Sequence, residues 1–256
     1  MPAAALFDVD GTLNGHQLLA HDRLDRGLAQ FGHAPAMARI HGAIGMGADQ
    51  LLDHLLGEDR DHDLDAAITA AHQALFARFW PCLRAFDSAG ALLRQLKRRG
   101  WTITLASSAS GRDLEVMRRM LDADDAIDHA TGADDVKASK PAPDLVHAAL
   151  AKSGAKPGQA LFVGDTPWDV QAAAQAKVAC VAVLSGGFGE RALRAAGALE
   201  VHRDVGDMSS SRRGGLRSHS GAQGPTKEQL YNEAKQRNIH GRSKMSKKEL
   251  ENALGR

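Results

Sequence analysis

The chain has 256 residues, 43% hydrophobic and 25% charged, enough to bury a sizeable core in one large or two modest domains with a short appendage. Its net charge of +1 hides an asymmetry: residues 1–208 carry 21 Lys or Arg against 27 acidic residues, and residues 209–256 carry 11 against 4, so an acidic body bears a basic tail. No stretch is long and apolar enough for a membrane span, the apolar start breaks at Asp8 without a charged leader segment, and Cys82 and Cys180 lack metal-site spacing; a cytoplasmic protein with reduced thiols is expected.

The first predicted element is the strand Ala3–Val9, a short apolar run that reads as buried on both faces of a parallel sheet. It runs into Asp8-Val9-Asp10-Gly11-Thr12, which places two carboxylates at a strand's carboxyl end, where open α/β sheets bind ligands. Alternation along an extended strand sets Asp8 and Asp10 on one side and Val9 in the packing. Like charges this close call for a cation or a shared proton. Gly11 permits a sharp turn, and the N–H groups and Thr12 hydroxyl beyond it can cradle an anion. The set fits phosphoryl transfer through an aspartyl nucleophile, although Asp-x-Asp-Gly also occurs in calcium loops and surface turns.

Residues 14–86 read as helices. Leu18, Leu24 and Leu28 recur at helical spacing, the glycine-bearing turn Gly45-Met46-Gly47 precedes another helix, and Leu64–Trp80 is long and alanine-rich. Inserted directly after the first turn, this segment is expected to lie over it as a lid, or else to form a plain helical subdomain. After Pro81, helices at 88–99, 111–121, 143–152, 167–176 and 190–196 alternate with strands at 101–106, 127–131, 160–163, 178–184 and 198–202. That alternation predicts an α/β fold with a doubly wound parallel sheet.

Three further clusters fall at strand ends. Trp101–Ala106 runs into Ser107 and Ser108, whose hydroxyls and N–H groups can hold a phosphoryl oxygen or serve only as turn residues. Lys140 sits in Ser139-Lys140-Pro141-Ala142-Pro143-Asp144; an ammonium held there can neutralise a nucleophile and a transferring phosphoryl group. Leu161–Val163 leads into Gly164-Asp165-Thr166-Pro167-Trp168-Asp169, which sends Asp165 to the same crevice as Asp8, while Asp169 reads as a site acid or a helix-capping acid.

Asp8-x-Asp10-Gly11-Thr12, then a strand ending at Ser107, then Lys140-Pro141, then Gly164-Asp165-x-x-x-Asp169 resembles the four motifs of the haloacid dehalogenase-like hydrolase superfamily, over residues 3 to about 205. The resemblance is to its phosphoglycolate phosphatase and β-phosphoglucomutase branch, with a Rossmann-like core (1–13 and 87–208) and a helical cap (14–86). It implies Asp8 as nucleophile, Asp10 as general acid and base, and Ser107 and Lys140 on the phosphoryl group. Gly11, Thr12 and Ser108 would contribute to substrate binding, and Mg2+ would be held by Asp8, the Asp10 carbonyl and Asp165, with Asp169 in support. An acid at Asp10 points to a phosphatase or phosphomutase rather than a dehalogenase. The chain departs from the branch at Asn14-Gly15-His16, where Val-Asp-Ser is frequent, which leaves the gating open. Hydrolysis of a small phosphomonoester is the expected activity, by a monomer or weak dimer; the alternatives are a sugar phosphomutase and a nucleic-acid-binding protein that uses the fold as a scaffold.

Residues 209–224, rich in Ser, Gly and Arg, read as a flexible linker. Thr226-Lys-Glu-Gln229 and Ser246-Lys-Lys-Glu249 are two capping boxes that each open a short helix. Thr226–Leu254 is similar to the N-terminal helix-extended-helix module of Rho termination factors and to SAP-like modules. That implies nucleic-acid binding, with Arg242, Lys244, Lys247 and Lys248 on phosphates and Tyr231 stacked on a base or packed in the small core. A solubilising or protein-docking hairpin is the other reading of this tail.

Overall fold

The computed structural model describes residues 3–15, 17–210 and 245–254. Two compact units are present, Met1–Ser209 and Ser210–Arg256. In the first, six parallel strands form one sheet: β1 (Ala3–Phe7), β2 (Trp101–Ala106), β3 (His129–Thr131), β4 (Ala160–Gly164), β5 (Ala179–Val183) and β6 (Glu200–His202), in the order β3-β2-β1-β4-β5-β6. The chain winds outward from β1 to β3, returns to β4 and winds outward again. β1 and β4 therefore flank the switch point where a doubly wound sheet opens its ligand crevice. Phe7 is in register with both Leu105 and Val163, so the residues that follow β1, β2 and β4 emerge at one level.

Burial on both faces accounts for the unbroken apolar run of β1. Ala5 and Phe7 pack with Leu92, Leu93, Leu96, Leu114 and Met117, while Ala4 and Leu6 pack on the other face with Leu145, Val146, Ala149, Phe162 and Val170. Apart from Phe162 on β4, these partners come from α5 (Ala89–Arg98) and α6 (Gly111–Leu121) on one side and from α7 (Asp144–Ser153) and α8 (Pro167–Gln175) on the other. Two shorter helices, α9 (Glu190–Ala196) and α10 (Val205–Ser210), complete the unit, and the second of these has no counterpart among the predicted elements. Among the described residues no helix is long and apolar enough to cross a membrane.

Between β1 and α5 lie α1 (Gln17–Ala29), α2 (Met37–Ala43), α3 (Ala48–Leu56) and α4 (Asp65–Ala77). They enclose an apolar cluster of their own, with Leu24, Leu28, Ile40, Leu51, Leu52, Leu55 and Ile68 at its centre. The predicted helix 64–80 ends early, because Trp80–Cys82 forms a separate 3-10 turn with Pro81 in its first turn. Entry to and exit from the helical segment run side by side: Phe86 N–H donates to the Leu13 carbonyl at 3.0 Å, and Asn14 bridges to both Asp10 and Ala85.

In the second unit the described residues form α11 (Lys247–Ala253), opened by the predicted capping box. Ser246 Oγ accepts from Glu249 N–H at 3.3 Å, and the Glu249 carboxylate accepts from Ser246 N–H. The other predicted box, Tyr231, Arg242 and Lys244 lie outside the described residues. Lys247 pairs with Glu251 at 3.8 Å, and Lys248 is exposed.

Candidate active site

The strand expected over 3–9 stops at Phe7, and the chain turns there rather than continuing flat. Leu13 and Asn14 both donate to the Val9 carbonyl, and Gly11 adopts φ of 91° to donate back to Asn14 at 3.0 Å. Val9 is fully buried in the packing, as expected. Asp8 N–H still donates to the Val163 carbonyl at 2.9 Å, and the sharp turn expected at Gly11 closes over residues 9–14. The Gly11 N–H and the Thr12 hydroxyl, expected as anion donors, are engaged within the protein: Thr12 Oγ1 lies 2.8 Å from Asp165 Oδ1 and 3.2 Å from Asp8 Oδ2.

Asp8, Asp165 and Asp169 converge as a buried set, with one carboxylate oxygen from each lying within 4.8 Å of the others. The side chain of Asp10 is not part of it. Lys140, 1% exposed, enters from the loop before α7; its Nζ donates to Asp8 Oδ1 and makes an ion-pair contact of 2.7 Å with Asp169 Oδ1. Asp169 fills both of the positions read for it. Its Oδ2 caps α8 by accepting from Thr166 N–H, Thr166 Oγ1 and Asp165 N–H, while its other oxygen faces Lys140. One short helix start therefore fixes the acid and orients the ammonium.

The charges of this set do not balance by themselves. Burial, followed by the neighbouring Asp169 and Asp10 charges, pushes the Asp8 carboxyl up to about 7 against the pull of Lys140. Burial and then Asp8 and Asp169 likewise raise Asp165 well above the carboxylate range. Burial opposes the Lys140 charge, but Asp169 and Asp8 outweigh it and hold the ammonium above its ordinary value. Three carboxylates against one ammonium suit a hard divalent cation, which prefers oxygen donors and would offset both the burial and the mutual repulsion that raise Asp8 and Asp165. The loop after β5 closes over the set. A Cβ at Gly186 would lie 1.6 Å from Asp165 Oδ2, so only glycine fits there. Its neighbour Ser185 donates to the Gly11 carbonyl at 2.7 Å. In the sequence neither residue stands out from an ordinary Ser-Gly-Gly turn.

Asp8 and Asp10 also face a cavity of about 150 Å3. Ser107, 2% exposed, and Ser108 line the β2 side of it, and Ser107 Oγ accepts from Ala109 N–H at 3.1 Å. The opposite wall comes from α1, α3 and α4, with Arg23, Leu24, Leu52, His72 and Phe76. The expected turn at Gly45-Met46-Gly47 lies at the seam: Gly45, at φ of 96°, would set a Cβ 2.6 Å from Thr166 Cγ2, and its carbonyl accepts from Ser108 at 3.5 Å. Asp49, at the start of α3, accepts from Ser139 N–H next to Lys140 at 3.0 Å. Arg23 and His72 escape sequence reasoning, because single polar residues on alanine- and leucine-rich helices carry no local signal of the wall they face.

The family model of the haloacid dehalogenase-like hydrolases matches residues 2–177. The chain belongs to this hydrolase family. Among curated relatives it is 32% identical over 217 residues to a phosphoglycolate phosphatase of Rhodospirillum rubrum, covering 81% of this chain and 90% of the relative. It is 29% identical over 192 residues to one of Pseudomonas putida, covering 73% and 71%. A hydrolase from Pseudomonas syringae superposes with a TM-score of 0.78 at 30% identity, covering 84% of this chain and all of the other. A β-phosphoglucomutase from Clostridium difficile gives 0.72 at 16% identity, covering 84% and 96%, a likeness of fold alone. Family and relatives make this hydrolase a phosphatase. The family match ends at residue 177 and lends no support to the Rho-type reading of the tail.

Proposed function

We propose that the protein is a cytoplasmic, Mg2+-dependent phosphatase that hydrolyses a small phosphomonoester through an aspartyl-phosphate on Asp8. The observation that carries this reading is the buried set of Asp8, Asp165, Asp169 and Lys140 opening onto a cavity that Asp10 and Ser107 also line. An Asp8 oxygen attacks phosphorus, and the bond from phosphorus to the ester oxygen breaks as Asp10 delivers its proton to the departing alcohol. Asp10 then takes a proton from water, whose oxygen attacks phosphorus and releases Asp8 and inorganic phosphate. Lys140 and Ser107 hold the phosphoryl oxygens and the charge that builds on them. Asp8, the Asp10 carbonyl and Asp165 would hold Mg2+, with Asp169 supporting them, and the ion would supply charge neutralisation at the phosphoryl group. Residues 14–86 act as a cap over this chemistry, and the described wall residues of α1, α3 and α4 support that assignment.

Phosphate release from a panel of esters that includes 2-phosphoglycolate, with Mg2+ and with chelator, tests the reading. Mg2+-dependent release that is lost in Asp8→Asn supports it. Isomerisation of β-glucose 1-phosphate without release would replace it with a mutase, and inactivity on every ester would remove it.

A further inference from the structure

Arg23 is 3% exposed, at the wall of the cavity that Asp8 and Asp10 face. Its guanidinium carbon stands 3.9 Å from the centre of the Phe76 ring, and its Nε and Nη1 are buried with no hydrogen-bond partner. It makes no ion pair among the described residues. The carboxylates whose charge acts on it are Asp10 and Asp113, and Asp113 is already committed, accepting from Trp80 Nε1 at 3.2 Å and from Ser110 Oγ at 2.7 Å. A guanidinium cannot shed its charge, so a buried one without a partner is costly unless something arrives to meet it. Asp10 Oδ1 is likewise buried and unpartnered. Two orphaned polar groups of opposite sign thus face one enclosed space.

We propose that Arg23 is a specificity-determining residue that binds a carboxylate carried on the leaving group of the substrate, a group that phosphoglycolate, named for the curated relatives, also carries. This rests on the phosphatase reading above, since it takes Asp10 to act at the ester oxygen. The leaving group then lies between Asp10 and the wall, and Arg23, close enough to feel the Asp10 charge, meets it after a short tether. One cation answers one negative charge, which favours a carboxylate over a second phosphate.

The test compares 2-phosphoglycolate with ethyl phosphate in the wild type, Arg23→Gln and Arg23→Lys, by kcat/KM and by titration calorimetry. A hydrogen-bonded charge pair in such a site carries a factor of roughly 30 or more. The ratio of kcat/KM for the acid over the uncharged ester is expected to fall at least ~30-fold in Arg23→Gln, chiefly through KM, with Arg23→Lys in between. The guanidinium gives up no hydrogen bond or ion pair, only its stacking on Phe76, so the ligand-free Tm of either variant should shift by no more than a few degrees. A ratio unchanged within about threefold, including equal losses on both esters, overturns the proposal. If the wild type turns over neither ester, the full panel of esters decides the phosphatase reading, and calorimetry decides this one separately. Preferential binding of 2-phosphoglycolate that Arg23→Gln abolishes sustains it, and no preference in the wild type overturns it.

Discussion

Two buried cations, Lys140 paired with Asp8 and Arg23 on the helical wall of the cavity, differ in their surroundings. Lys140 is held by Asp8 and Asp169, which outweigh the penalty of its burial. Arg23 rests on the face of Phe76 with two nitrogens unpartnered, and burial pulls it below its ordinary value. On the sheet side the chain supplies the complement to its own charge in advance, so that side is organised before any ligand enters. On the helical side the complement is missing. A site that performs one kind of chemistry on a chosen substrate needs both: fixed charges where every substrate is alike, and an unmet charge where substrates differ.

The largest expected effect breaks the sheet side. Asp8→Asn should reduce phosphate release by roughly four orders of magnitude or more, because it removes the nucleophile of the proposed reaction. Single-turnover assays for phosphorylated protein check this directly, and a variant that still accumulates a phosphoenzyme would move the chemistry away from Asp8. Lys140→Met comes next. It leaves Asp8 and Asp169 buried without their cation, so a loss of about 3–5 kcal/mol in unfolding free energy is expected together with a kcat at least ~100-fold lower. Chelation follows: with a divalent ion at about 100 times its Kd, the protein gains about 2.7 kcal/mol. Mg2+ should therefore raise the Tm of the wild type by several degrees and that of Asp165→Asn much less.

The sheet side is legible in the sequence because its residues are tied to strand ends. A short apolar run followed by an acid locates Asp8 and Asp165, and parallel register brings them together across the switch point. The box Thr166-Pro167-Trp168-Asp169 announces both a helix start and an acid, and the structure gives each oxygen of Asp169 one of those tasks. The first strand is read two residues too long because strand periodicity does not say where a strand stops; the two bonds to the Val9 carbonyl close the turn that Gly11 announces. The wall around Arg23 is illegible for a different reason. Its position depends on how α1 packs against α4, a contact between segments some fifty residues apart that no local spacing encodes.

At the seam between the two sides, Gly45 offers a smaller perturbation. Its φ of 96° and the 2.6 Å approach of an added methyl to Thr166 Cγ2 predict that Gly45→Ala costs about 1–3 kcal/mol. The same strain pushes on Thr166, which holds Asp169, so KM and kcat should both worsen. Thermal unfolding and steady-state kinetics measure the two effects, and an Ala variant with wild-type Tm would show that the turn relaxes freely.

The smallest effect separates the two sides by pH. His72, on the α4 wall, is lowered from 6.5 to about 4, by burial first and then by Arg23. Between those values the unfolded chain binds the proton and the folded chain does not, so this residue makes stability rise as pH increases from 4 to 6.5. Asp8 acts in the opposite sense in chelator: its carboxyl is raised from 3.8 to about 7, the folded chain keeps the proton longer, and stability falls as pH increases through that window. In chelator the His72 contribution therefore opposes that of Asp8, and the raised Asp165 acts in the same sense as Asp8. His72→Gln should tilt the wild-type curve so that Tm declines from about pH 4 to about 7, and Asp8→Asn should tilt it the other way, each by a few degrees. Mg2+ should erase the Asp8 slope, since it favours the ionised carboxylate, and leave the His72 slope in place. If both substitutions tilt the curve in the same direction, the contrast between a self-compensated sheet side and an uncompensated helical side fails on its own terms.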